Sequence, residues 1–174
     1  MEFGTELLRV RAAGQGDDPA EFLPLFNTNP EFLDANTLRT GVREFTEEDI
    51  ARYLWQGEVT ENSRCLAART REGDRLVGTV SLLAPHPGEG QPWIGLLLID
   101  GRLDHDRWAG DLLAGLEGAL AGEGWRTVYV GPLVELRESV AWWRSRGYVP
   151  VEERRDNDKR LVEVHRRELA SPSA

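Results

Sequence analysis

The chain is poor in the residues that build metal centres and cross-links. Among 174 residues there is one cysteine, Cys65, and three histidines, His86, His105 and His165. A single cysteine excludes an internal disulfide and a zinc site built from thiolates. The scattered histidines lack metal-ligand spacing, so no metal is assigned. No run reaches the roughly 18 apolar residues of a membrane span, and no charged-then-apolar leader opens the chain. Neither GxxxxGK(S/T) nor GxGxxG follows a strand-like run, which argues against an unrelated nucleotide-binding domain. Positive charge is also in deficit, with a net charge of −9. That argues against nucleic acid and anionic membranes as main partners and is compatible with a cationic acceptor such as an amine. A soluble, cytoplasmic protein is expected. Cys65 reads as a small buried apolar residue rather than a nucleophile.

What is present fits one domain over 1–174, long enough to bury roughly 70% of its unfolded surface. "MEFGTE" at 1–6 reads as a leader or cloning scar and "ASPSA" at 170–174 as a loose tail. Leu7 to Ala12 suits an edge strand. Asp18 caps a helix with Pro19 at its first position. "NTNPEFLDANTLRTG" is irregular or a second short helix. Thr46 then precedes Glu47, Glu48 and Asp49, acidic residues suited to a first helical turn. "SRCLAART" and "RLVGTVSLLA" pair through the turn "REGD". "WIGLLLI" is apolar at nearly every position, as in a central strand buried on both faces. A helix follows from about Asp106 to Leu120, then the strand "TVYVG". "ELRESVAWWRSRGY" is a helix closed near Gly147. "YVPVEERR" and "KRLVEVHRREL" form a closing hairpin. The order predicts an α/β (α+β) fold with a central mixed sheet of six to seven strands and helices on both faces.

Two stretches, "WIGLLLIDGRLDHDRWAGDLLAGLEGAL" and "SVAWWRSRGYVPV", resemble the GCN5-related N-acetyltransferases (GNAT). The likeness runs from about Arg75 to Val151. In that family the central strand enters a loop of pattern Gln/Arg-x-x-Gly-x-Gly/Ala, whose backbone N–H groups and following helix hold the pyrophosphate of acetyl-CoA. Unsatisfied N–H donors at a positive dipole end are the physical basis. The pattern falls on Asp104, His105, Asp106, Arg107, Trp108 and Ala109, with Gly110 letting the helix start closely. Asp104, Asp106 and Arg107 depart from it, and Asp111 adds charge in the first turn. Each repulsion facing a phosphate would cost on the order of 1–4 kcal/mol before screening. Arg102 and Arg107 could offset part of it.

The resemblance implies that the thioester and pantetheine lie along Leu97, Leu98 and Ile99, freed by a bulge and a splayed neighbour strand. Leu136 stands where many members have asparagine, and Trp143 where many have the tyrosine that protonates the thiolate. An indole N–H only donates. No carboxylate interrupts "WIGLLLI", so the candidate base is Glu135, with Glu138, Glu89, His86 or a water relay as alternatives. Tyr129 is the nearest spare phenol for the acid. The expected activity is direct acyl transfer from acetyl-CoA, as cosubstrate, to a small-molecule or peptide amine. A second copy of the chain is a further candidate partner. The alternative is a catalytically inactive binding or scaffold protein on the same fold, without acetyl-CoA affinity.

Overall fold

A computed structural model describes residues 1–170; the remainder of the expected tail, 171–174, lies outside the described residues. The chain runs through β1 (Phe3–Gly4), β2 (Leu8–Ala12), α1 (Pro19–Asn27), α2 (Pro30–Thr40), α3 (Glu47–Val59), β3 (Ser63–Thr70), β4 (Leu76–Leu83), β5 (Trp93–Ile99), α4 (His105–Gly122), β6 (Thr127–Val130), α5 (Arg137–Ser145), β7 (Val149–Arg155) and β8 (Leu161–Glu168). One sheet holds the strands in the order β1-β2-β3-β4-β5-β6-β8-β7. Every neighbouring pair is antiparallel except β5 and β6.

The sheet has eight strands, against the six to seven expected. The additional strand is β1, within the segment read as a leader or scar. It pairs with β2, and the Thr5 hydroxyl donates to Asp111. Phe3 packs on α4 at Gly115, where an added Cβ would lie 2.7 Å from the Phe3 ring. Asp111 therefore faces β1 and not the start of α4.

Helix starts follow local chemistry. Asp18 accepts from the Ala20 N–H at 3.0 Å, with Pro19 at the first position. The segment left between irregular and helical becomes α2, with Pro30 at its first position. Thr46 and Asp49 form a reciprocal capping box at α3. Gly147, at φ +84°, follows α5 in the left-handed conformation that ends helices.

Both faces of the sheet are covered. Leu112, Leu113, Leu116 and Leu120 of α4 pack with Trp143 of α5 on one face. Phe22, Leu25 and Phe26 of α1 pack with Ile50 and Leu54 of α3 on the other. A smaller cluster joins Ala35 of α2 to Leu133, Val162 and Val164. Cys65 is buried and free, and burial pushes its thiol pKa up. Among the described residues no helix is long and apolar enough to cross a membrane, and no group of ligand side chains could hold a metal.

Candidate active site

The central strand is not buried along its whole length. Gly95 is exposed and Leu96 and Leu97 are half-buried, because β5 loses its neighbour. It pairs with β6 only at Trp93–Tyr129 and Ile94–Val130. Beyond Ile94 the edge facing β6 has no strand partner among the described residues. On the other edge, Ser81 pairs with Leu96 and Leu82 with Ile94, leaving Gly95 as the extra residue of a bulge. The bulge breaks the two-residue alternation. Ile94 and Leu97 both pack toward α4, while Leu96 and Leu98 pack toward α1 and α3.

A groove of about 1340 Å³ opens along this freed edge. Ile94 to Leu98 form its floor, and Val130 to Leu133 the diverging wall. Glu31 and Asp34 of α2, with Asp49 and Tyr53 of α3, close one side. Asp104, His105 and Asp106 stand at the start of α4; Leu136, Glu138, Ser139, Trp142 and Trp143 line it from α5.

The start of α4 is partly satisfied by the chain itself. Asp104 is the N-cap, and its carboxylate accepts from the Arg107 N–H at 3.2 Å. The N–H groups of His105 and Asp106 have no protein acceptor among the described residues. The Asp106 carboxylate turns toward α5. Its Oδ1 accepts from Trp142 Nε1 at 3.0 Å and from Arg146 at 2.9 Å. The His105 ring meets Trp142 edge-on at 5.2 Å. Burial lowers the His105 pKa, aided by Arg146 and opposed by Asp106 and Asp104.

Titration is also shifted across the groove. Burial raises the Glu31 pKa; the nearby Glu138 adds to this, while the backbone N–H groups of Glu138 and Ser139 oppose it. Those N–H groups belong to the first turn of α5, whose N-cap, Leu136, offers no side-chain acceptor. The Tyr53 hydroxyl is paired with Thr79 Oγ1 at 3.0 Å, and burial holds its pKa well above the ordinary phenol value.

The expected site residues separate into two groups. Leu97, Leu98, Asp104, His105, Asp106 and Trp143 come together around the groove. Ile99 does not line it; its side chain is 1% exposed and its carbonyl accepts from Asn29 Nδ2 at 2.9 Å. Arg107 is exposed, its guanidinium 5.9 Å from the Trp108 ring. Ala109 is fully buried, and Gly110 lies under the Arg146 guanidinium. Neither candidate catalytic residue lines the groove. Glu135 is exposed outside it, and the Tyr129 ring lies parallel to Trp93 at 6.3 Å. His86 also stacks on Trp93, at 4.9 Å, and Glu89 pairs with Arg154 at 2.7 Å. Glu31, Asp34 and Tyr53 were not among the sequence candidates; Asp49 stood out as one of the acidic residues following Thr46. The signal for Glu31 and Asp34 was an acidic, proline-started segment with no marked spacing.

The fold as a whole recurs in solved structures. An acetyltransferase from Thermus thermophilus superposes with a TM-score of 0.74 at 20% identity, over 97% of this chain and 100% of that one. A GNAT-family acetyltransferase from Bacillus anthracis gives 0.73 at 13% identity, over 97% and 98%. RimL, a ribosomal L7/L12 α-N-protein acetyltransferase solved with coenzyme A, gives 0.71 at 17% identity, over 97% and 98%. The chain has the GNAT fold. No family model matches it, and no curated protein matches it by sequence. Within the GNAT fold, the groove occupies the splay between β5 and β6, and α2 and α3 form the wall opposite α4 and α5.

Proposed function

We propose that this GNAT-fold protein is an N-acetyltransferase that moves the acetyl group of acetyl-CoA directly to an amine. The observation that carries the reading is the unpaired β5 edge beyond Ile94, with its bulge at Gly95, continuous in one groove with the start of α4. Freed main-chain groups at Gly95 to Leu98 can pair with the amides of a pantetheine arm and donate to a thioester oxygen. The free N–H groups of His105 and Asp106 and the guanidinium of Arg146 supply donors for the pyrophosphate.

Acetyl-CoA supplies an activated acyl carbon and a sulfur leaving group. The protein must deliver a neutral amine and take its proton as the nitrogen–carbon bond forms and the carbon–sulfur bond breaks. Glu31 takes the base role in place of Glu135. It lines the groove, and its raised pKa makes it a stronger base than an exposed carboxylate. The departing thiolate takes its proton from water, because Tyr129 stands outside the groove. Asp34 and Asp49 give the same wall negative charge and Glu138 adds to it from the α5 side, which favours a cationic amine over a neutral or anionic acceptor. Transfer from a cytoplasmic acetyl-CoA pool fits a chain with one buried free cysteine.

A second reading, a scaffold without acetyl-CoA affinity, is favoured by the Asp104 and Asp106 carboxylates at the start of α4. Calorimetric titration with acetyl-CoA separates the two. Saturable binding followed by amine-dependent thiol release supports the transferase. No heat and no change in melting temperature at millimolar ligand supports the scaffold, because ligand at about 100 times its dissociation constant should stabilise by about 2.7 kcal/mol.

A further inference from the structure

We infer that Trp142, which lines the groove, and Arg146, which stands behind it against Asp106, are pyrophosphate-binding side chains at the start of α4, and that Asp106 occupies their site in the ligand-free protein. The inference rests on the acetyl-CoA reading and adds residues to it.

Trp142 Nε1–H and the Arg146 guanidinium can only donate. Both converge on one oxygen, Asp106 Oδ1, at 3.0 and 2.9 Å. Two donors aimed at a single oxyanion are the arrangement a phosphate oxygen requires. The carboxylate filling it is accessible to solvent, since the Asp106 side chain is 78% exposed. It can therefore leave without a buried charge being stranded. Arg146, in contrast, is fixed independently of that carboxylate. Its NH2 group also donates to the Asp106 carbonyl at 3.0 Å. Its guanidinium lies over the Trp142 ring at 5.2 Å. It fits over Gly110, where an added Cβ would come within 2.9 Å of its NH1. Its buried Nε remains without a protein acceptor. The donors are thus held in place while the acceptor is exchangeable. Asp106 competes with the incoming anion, and its displacement leaves one net positive charge beside the free N–H groups of the α4 start.

The test compares coenzyme A with pantetheine, which lacks the pyrophosphate, by calorimetry on four proteins: wild type, Asp106→Asn, Arg146→Gln and the double variant. Asp106→Asn keeps the shape and removes the charge, and should tighten coenzyme A binding on the order of tenfold. Arg146→Gln should weaken it by a similar factor. The double variant should bind no tighter than Arg146→Gln alone, because the gain at Asp106 requires the freed guanidinium. Pantetheine affinity should be the same in all four. If the wild type binds coenzyme A and Asp106→Asn binds it equally or more weakly, the displacement is wrong while the transferase reading stands. An equal gain for pantetheine overturns it as well. If no variant binds coenzyme A, the acetyl-CoA reading itself fails and takes the displacement with it. Binding by Asp106→Asn alone supports both.

Discussion

Helices α3 and α5 begin in opposite ways. At α3 the Thr46 and Asp49 side chains and backbones satisfy one another: the Thr46 N–H donates to Asp49 Oδ2 at 2.9 Å, and the Asp49 N–H to Thr46 Oγ1 at 3.3 Å. The N–H groups of Glu47 and Glu48, in the first turn, have no protein acceptor among the described residues. At α5 the N-cap is Leu136, which has no polar side chain, and the first-turn N–H groups of Glu138 and Ser139 act on the carboxylate of Glu31 from α2. The first helix start is closed by neighbours in sequence. The second faces the groove and is served from another helix. The start of α4 is capped like that of α3 at its third position, with the Arg107 N–H held by Asp104 and two N–H groups open, but it lacks the reciprocal bond of a capping box.

The sharpest way to break this comparison is to neutralise Glu31. Glu31→Gln should lower kcat/KM for an amine acceptor by about 100-fold, within the usual range for loss of a general base. Glu135→Gln, outside the groove, should leave it nearly unchanged. The pH profile adds an independent sign. Burial raises the Glu31 pKa, so kcat/KM should climb as that proton is lost, with the limb above the usual carboxylate range. In Glu31→Gln the limb should vanish. Retention of the limb would remove Glu31 from the base role. The same upward shift means that Glu31 binds its proton more tightly in the folded protein. Its contribution to stability is therefore fully present at low pH and declines as pH rises through the folded pKa.

Thr46→Ala probes the closed helix start. Loss of the capping box should cost about 1 kcal/mol, seen as a fall of about 2–4 °C in Tm for a domain of this size. Acetyl-CoA affinity should not move, because the Thr46 cap spends its donors within α3. A change in affinity would mean that α3 reaches the cofactor side of the groove.

The contrast also explains what could be read in advance. The cap at Asp18 and the acidic first turn after Thr46 were legible because the residues that start a helix lie within three residues of each other. The order of elements was legible because periodicity and turn residues are local. "WIGLLLI" was misleading over its middle, at Gly95, Leu96 and Leu97. Its composition suits burial on both faces, but burial depends on where β6 goes, and β6 diverges after Val130. Residues 1–6 carried no strand pattern of their own; β1 exists only through β2 and the contact of Phe3 with Gly115. Asp106 was legible as a charge at a helix start, but its partners Trp142 and Arg146 lie 36 and 40 residues away. Glu31 had only the weak signal of its proline-started segment, because its place beside the Glu138 and Ser139 N–H groups comes from α2 lying across the start of α5. Glu135 and Tyr129 were close to the right elements in sequence, yet strand direction and stacking on Trp93 set them outside the lining.

The smallest expected effect is at the intermediate helix start. Asp104→Ala removes two things at once. It takes away the cap on the Arg107 N–H, and it takes away a carboxylate from the groove. The lost cap should cost only about 0.5 kcal/mol, the low end for such substitutions, because the bond is long and the residue exposed. The freed N–H joins those of His105 and Asp106, and the helix dipole is no longer offset by Asp104. Acetyl-CoA affinity should therefore rise a few-fold, the scale of one helix-terminus charge, while Tm in the absence of ligand falls slightly. The two readouts move in opposite directions only if this terminus is an anion site that the chain caps for itself. A parallel fall in Tm and affinity would show that Asp104 shapes the loop for binding and does not compete with the ligand.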